Sequence, residues 1–269
     1  MNILVCVKQV PDTTAVKIDP VTNTLIRDGV PSILNPFDGF ALEMALRMKE
    51  QAGGTVTLLS MGPAQAESAL RDGLAVGADE AFLVSGREFG GSDTLATSYI
   101  LSSAVKVLEA RKGEKFDAIF CGKQAIDGDT GQVGPEMAEH LDYPQITYAT
   151  ELVSCEAGKV RIRKETADGY DVLETALPAV ISVTKTTFEL RFPTVKKRLA
   201  ANRAQIVTIT PQDMEGQIDL TRAGLKGSPT KVKKSFTPQH NKTCVLVEED
   251  SLNASAVKLV ALLSDAKKI

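Results

Sequence analysis

With 269 residues, 43% of them hydrophobic and 24% charged, the chain carries enough apolar material for a sizeable core and sits in the ordinary globular range, which argues against disorder. A formal net charge of −3 argues against nucleic acid as the main partner, because neutralising phosphates takes a concentrated excess of Lys and Arg. No apolar run approaches the roughly 18 residues of a spanning helix, and the first residues carry no basic leader, so a cytoplasmic protein without membrane insertion is expected.

Short apolar runs at residues 3–7, 56–61, 81–84 and 118–121 are each followed by turn residues and then by a helical pattern. Continuous apolar strands separated by helices predict a parallel sheet covered on both faces, a Rossmann-like doubly wound α/β fold. Asn35-Pro36 opens the first helix, residues 37–51, with Asn35 as the expected N-cap and Pro36 at the first helical position. A second helix is expected over 64–76, ended by Gly77, and a third over 94–110, capped by Ser92 or Asp93. A fourth starts at Thr130 or Gly131 and runs to Leu141.

From about Gln145 the pattern becomes that of a meander, with strands at 149–154, 159–164, 171–176 and 180–184 and turns at Ala157-Gly158 and Asp168-Gly169. This predicts an antiparallel addition to the parallel sheet. A short basic helix follows Phe192-Pro193, and a strand is expected at 206–210. Residues 1–210 are thus read as one α/β domain. Residues 211–269 are read as a C-terminal arm: a polar segment to about Pro238, a strand at 243–247 and an amphipathic helix over 251–267. Leu252, Ala256, Leu259, Val260 and Leu263 are expected to face inward on that helix.

Cys6, Cys121, Cys155 and Cys244 are too scattered for a CxxC pair or a zinc-ligand spacing. Cys6 and Cys121 read as small buried hydrophobes. With His140 and His240 as the sole histidines, neither a histidine-rich metal site nor a catalytic triad is expected.

Ligands of parallel α/β sheets collect at the carboxyl ends of the strands. Four segments should converge there: residues 8–14, 35–38, 61–63 and 122–135. The last reads Gly122-Lys123-Gln124-Ala125-Ile126-Asp127-Gly128-Asp129-Thr130-Gly131-Gln132-Val133-Gly134-Pro135, glycines and small polar residues directly before a helix. Backbone N–H groups at a helix N-terminus are a natural pyrophosphate seat, and glycine lets the backbone come close. Neither GxGxxG nor GxxxxGK[ST] is present. Spacing alone leaves open a Gly-rich connection in which Thr130 merely caps the helix.

The wording of that loop closely resembles the nucleotide loop of the beta (small) subunit of electron-transferring flavoproteins. The resemblance extends to Val5-Cys6-Val7-Lys8-Gln9-Val10-Pro11-Asp12, Asn35-Pro36-Phe37-Asp38, Met61-Gly62-Pro63-Ala64-Gln65 and Leu177-Pro178-Ala179-Val180-Ile181-Ser182-Val183. It departs from the family pattern at Ala167-Asp168-Gly169-Tyr170-Asp171, to which no site role is assigned. The resemblance implies a heterodimer with an FAD-carrying alpha subunit, and an adenine nucleotide held by this chain. Cys6, Asn35, Asp38 and Met61 would frame the adenosine, Gly122 to Val133 would hold adenine and phosphates, and Pro36 and Phe37 would count among the cofactor-binding residues. In housekeeping members the nucleotide is a structural AMP; in the bifurcating, NADH-using branch it is a second FAD. Val10-Pro11-Asp12-Thr13 and the wording of 127–135 resemble the bifurcating branch, so FAD is favoured, with AMP as the alternative. The same resemblance implies ferredoxin or flavodoxin as low-potential acceptor. It makes Arg191-Phe192-Pro193-Thr194-Val195-Lys196-Lys197-Arg198 the segment that meets an acyl-CoA dehydrogenase, with Val195 as apolar anchor; the charge run alone reads equally well as a solvated basic helix start.

Overall fold

A computed structural model describes residues 1–12, 17–18, 25–26, 31–231 and 244–269. In chain order the first elements are β1 (Asn2–Cys6), β2 (Gln9–Pro11), β3 (Lys17–Ile18), β4 (Leu25–Ile26), β5 (Ser32–Leu34), α1 (Pro36–Ala52) and β6 (Thr55–Met61). Then come α2 (Glu67–Val76), β7 (Glu80–Val84), α3 (Thr94–Lys112), β8 (Ala118–Gly122) and α4 (Val133–Leu141). The sheet continues through β9 (Gln145–Glu156), β10 (Lys159–Thr166), β11 (Gly169–Ala176) and β12 (Ala179–Val183), followed by α5 (Val195–Arg203), β13 (Val207–Ile209), α6 (Gly224–Gly227) and α7 (Leu252–Asp265). The chain divides into two compact units, Met1–Lys233 and Lys234–Ile269.

The first unit is built on a nine-stranded sheet in the order β11-β10-β9-β12-β8-β1-β6-β7-β13. From β9 through β12 to β13 every neighbouring pair is parallel, and β9-β10-β11 form the antiparallel addition. Side chains alternate across a strand. Ile3, Val5 and Val7 therefore pack with Leu42, Met44, Met48 and Leu70 of α1 and α2, while Leu4 and Cys6 pack with Ile100, Val105 and Met137 of α3 and α4. The fold is the doubly wound α/β sheet expected from the apolar runs.

The chain leaves β1 through α1 toward β6 and β7, then returns through α3 to place β8 on the other side of β1. That reversal puts the switch point between the carboxyl ends of β1 and β8, where ligands of such sheets bind.

Several local expectations need correction. The run at 180–184 is not a fourth meander strand: β12 inserts in parallel between β8 and β9. Its five residues are all buried, the signature of a strand covered on both faces, which hairpin spacing alone did not weigh. The turn residues Ala157 and Gly158 do take positive φ, 52° and 73°, as a two-residue hairpin requires. The fourth helix begins at Val133, because the chain turns through Gly131 at φ 65° and residues 130–132 remain loop ahead of it. Residues 211–231 lie within the first unit, where Met214 and Ala223 are buried in the α3 layer. In the second unit residues 244–249 form no strand. Helix α7 is present, with Ser251 accepting from the Ala254 N–H as its cap, but buries none of its residues; Leu252 and Val260 are exposed.

Candidate nucleotide site at the switch point

The site starts from two strand ends. After β1 the backbone N–H of Lys8 donates to Asp38 Oδ2 at 2.7 Å, and at the end of β8 the N–H of Gly122 donates to Asp38 Oδ1 at 3.0 Å. One carboxylate in the first turn of α1 thus ties the two strands at the point where the chain reverses. Asp38 is buried, and burial pushes its carboxyl up to about 7, against the hydrogen bonds from Asn35, Lys8 and Gly122 and the charge of Lys8.

The approach demands a glycine. A Cβ on Gly122 would stand 2.3 Å from Asp38 Oδ1 and 2.7 Å from the Asp38 N. Gly134 is similarly confined, with Cys121 Sγ at 2.7 Å from the position of its Cβ.

Asn35 does not cap α1 with its side chain. Its Nδ2 donates to the Gln124 carbonyl at 2.9 Å and its Oδ1 accepts from the Ile126 N–H at 3.2 Å, so the side chain grips the loop while its own N–H donates to the Lys8 carbonyl. An amide satisfies a peptide N–H and C=O together through separate atoms, which an acceptor-only carboxylate cannot. Pro36 is exposed at the helix start, and Phe37 stacks edge-on to Phe40 at 6.5 Å.

Beyond Gly122 the loop closes on itself. The Lys123 N–H donates to the Val183 carbonyl of β12, the Lys123 ammonium lies 4.9 Å from the Tyr148 ring, and Gln124 Nε2 donates to Asp129 Oδ1. The Gly128 and Asp129 N–H groups both donate to the Ala125 carbonyl, and Asp129 and Gly131 take positive φ, 51° and 65°. Among the described residues, nothing accepts from the N–H groups of Thr130, Gly131 and Gln132, which precede α4. Free donors at a helix N-terminus, with no Cβ at Gly128 or Gly131, fit an anionic ligand. The Thr94 hydroxyl lies 3.0 Å from Gln132 Oε1 and 3.2 Å from Glu136 Oε1.

The floor is sulfur-rich. Cys6 Sγ stands 4.0 Å from Met137 Sδ, in the same cluster as Cys121, with Met61 and Val133 packed against it. Burial and the nearby Asp38 push the Cys6 thiol up to about 12, so it is a neutral lining group and no nucleophile. Of the four segments expected to converge, 8–14, 35–38 and 122–135 are joined by hydrogen bonds, and Met61 packs against the cluster that contains Cys6; Thr13 and Thr14 lie outside the described residues.

Sequence reasoning gave no role to the ion pair between Lys8 Nζ and Asp127, 2.8 Å, which latches the loop tip to the end of β1. Each residue carried a charge, but only the adjacency of β1 and β8 makes them partners. Among the described residues no helix is long and apolar enough to cross a membrane.

Residues 22–214 match the family model described as electron transfer flavoprotein domain. The chain is 52% identical to electron transfer flavoprotein subunit beta of Megasphaera elsdenii over the full length of both, and 50% identical to the subunit of that name from Thermoanaerobacterium thermosaccharolyticum over 88% of each. It is 44% identical to Protein FixA of Azorhizobium caulinodans over 97% of this chain and 93% of that one. With its doubly wound sheet and the loop held at the switch point, the chain belongs to the beta-subunit family of electron transfer flavoproteins.

Proposed function

We propose that this chain is the beta subunit of a cytoplasmic, bifurcating electron-transferring flavoprotein, paired with an FAD-carrying alpha subunit and holding a second FAD at the switch point. The observation that carries the reading is the Asp127-Gly128-Asp129-Thr130-Gly131 loop, with free N–H groups at Thr130, Gly131 and Gln132 in front of α4. These donors, and the room left by the glycines, suit a pyrophosphate bridge better than a single phosphate. Cys6, Met61 and Asp38 would border the adenosine, and Asn35 holds the loop in the shape that receives it.

When bound, the flavin supplies hydride acceptance from NADH and delivery of one electron to ferredoxin or flavodoxin and one, through the alpha-subunit FAD, to an acyl-CoA dehydrogenase. The chain's own residues bind, orient and exclude water; no side chain is asked to act as acid, base or nucleophile. The segment Arg191–Arg198 is assigned to dehydrogenase docking, and α7 with the rest of the second unit to the alpha subunit.

The test is a count of released nucleotides from the purified heterodimer. Two FAD per heterodimer, with rapid flavin reduction by NADH under anaerobic conditions, are expected. One FAD with one AMP, and no rapid reduction by NADH, would make this chain a housekeeping subunit whose nucleotide only rigidifies the fold.

A further inference from the structure

Away from the nucleotide loop, one buried carboxylate organises a second region. Glu43, in the middle of α1, is 3% exposed. Its Oε1 accepts from Arg47 Nε at 2.9 Å and Arg191 Nη2 at 3.0 Å; its Oε2 accepts from Arg191 Nε at 2.9 Å and from the Arg191 backbone N–H at 3.2 Å. Four donors thus occupy a carboxylate with about four acceptor sites. The remaining Nη1 of Arg191 pairs with Glu50, and the Arg47 guanidinium stacks on the Phe188 ring at 4.0 Å. Burial pushes the Glu43 carboxyl up, but the hydrogen bonds from Arg191 and Arg47 outweigh it and hold the pKa below the ordinary value, so the clamp is ionic at neutral pH.

The chain between Phe188 and Arg191 is therefore fastened to α1. On the far side, Thr194 caps α5 by accepting from the Lys197 N–H, and α5 is fastened to α2 through Arg198 with Asp72 and through Arg71, which donates to the Ala201, Asn202 and Ala204 carbonyls. Between these two fixed ends stand Phe192, 93% exposed, and Val195, 80% exposed. Neither packs into the core, so nothing local to these apolar side chains explains why so many contacts hold the backbone that carries them.

We propose that Glu43 and Arg191 are positioning residues for partner recognition: their clamp sets Phe192 and Val195 in the conformation that docks the dehydrogenase, so that ordering is complete before the encounter. This rests on the docking assignment made above for Arg191–Arg198. Preorganisation raises affinity by removing the entropy otherwise lost on binding, and leaves events after docking unchanged. A guanidinium reaching both oxygens of Glu43 and also Glu50 holds direction as well as charge, which a lysine ammonium cannot reproduce.

The test uses the reconstituted heterodimer as acceptor for an acyl-CoA dehydrogenase reduced by its acyl-CoA substrate, with KM for the heterodimer and kcat measured separately. Val195→Ala and Phe192→Ala test the docking surface; Arg191→Ala and Arg191→Lys test the clamp. Flavin content and hydrogen exchange across α1 report folding. Arg191→Ala is expected to raise KM roughly ten-fold with kcat retained, since freezing one or two side chains on binding is worth about one such factor. Arg191→Lys should fall between, and the Arg191→Ala/Val195→Ala double variant should lose less than the product of the two single effects. If Val195→Ala raises KM but a folded Arg191→Ala leaves it unchanged, the positioning role is wrong and the docking assignment stands. If Phe192→Ala and Val195→Ala both leave KM unchanged, the docking assignment fails and takes the clamp's role with it. Should Arg191→Ala not fold, Arg191→Lys decides: a raised KM with native exchange in α1 supports the proposal, and an unchanged KM overturns it.

Discussion

Asn35 and Ile126, 91 residues apart in the chain, are joined side chain to backbone: the Ile126 N–H donates to Asn35 Oδ1 at 3.2 Å, and the same amide donates to the neighbouring Gln124 carbonyl at 2.9 Å. The first residue before α1 therefore shapes the loop after β8, which owes its form to a buried side chain of a distant segment as much as to its own glycines.

Replacing Asn35 tests that relationship. Asn35→Ala removes two hydrogen bonds at a 1% exposed position and is expected to cost about 2 kcal/mol, at about 1 kcal/mol for each bond. It should also release bound nucleotide during gel filtration. Asn35→Asp is the sharper variant, because aspartate is a good N-cap but cannot donate to the Gln124 carbonyl. Thermal unfolding and nucleotide content should show Asn35→Asp as impaired as Asn35→Ala; wild-type behaviour would mean that capping is what Asn35 does.

Two glycines of the same loop should respond oppositely. A Cβ at Gly122 would press on Asp38 Oδ1 and on the Asp38 backbone, neither of which can retreat without opening the β1–β8 tie, so Gly122→Ala should lose nucleotide and destabilise by roughly 2–4 kcal/mol. At Gly128 nothing lies within 4 Å of the added methyl, and Gly128→Ala should stay within about 0.5 kcal/mol of wild type in denaturant unfolding. Its nucleotide content tells whether a phosphate needs that space.

Asp38 predicts a pH dependence. Its pKa is 3.8 in the unfolded chain and about 7 in the folded one, so between those values the native state keeps a proton that the unfolded state has released. Its contribution to stability is therefore fully present below about pH 4, falls as pH rises through the window, and is gone above about pH 7. Asp38→Asn cannot titrate. The difference in unfolding free energy between wild type and Asp38→Asn should then shift by a few kcal/mol between pH 4 and pH 8. A difference that stays flat across this range would show that the carboxylate keeps an ordinary pKa.

Much of the fold was legible because its signals are local. Apolar runs bounded by turn residues marked β1, β6, β7 and β8, Asp93 accepts from the Ala96 N–H as an expected cap, and Gly113 ends α3 at φ 72°. Where the reading failed, the deciding contact lay far along the chain. The segment of β12 looked like one more meander strand until its neighbours turned out to be β8 and β9, and Asn35 looked like a cap until Gln124 and Ile126 took its amide.

By itself, then, the sequence determined the alternation of strands and helices, the hairpin turns, and the glycine-rich loop that sits before a helix. These depend on periodicity and turn chemistry within a few residues. Only the tertiary structure decided that β1 and β8 are neighbours, that Asp38 ties their ends, that Lys8 meets Asp127, and that Glu43 receives Arg191 from 148 residues away. The reason is physical: partners of a buried polar group are set by strand order and by which face each helix covers, and these follow from closing long loops around a shared core. The loop carries its own glycines, but the side chains that hold it in place come from the segment after β1 and from the start of α1.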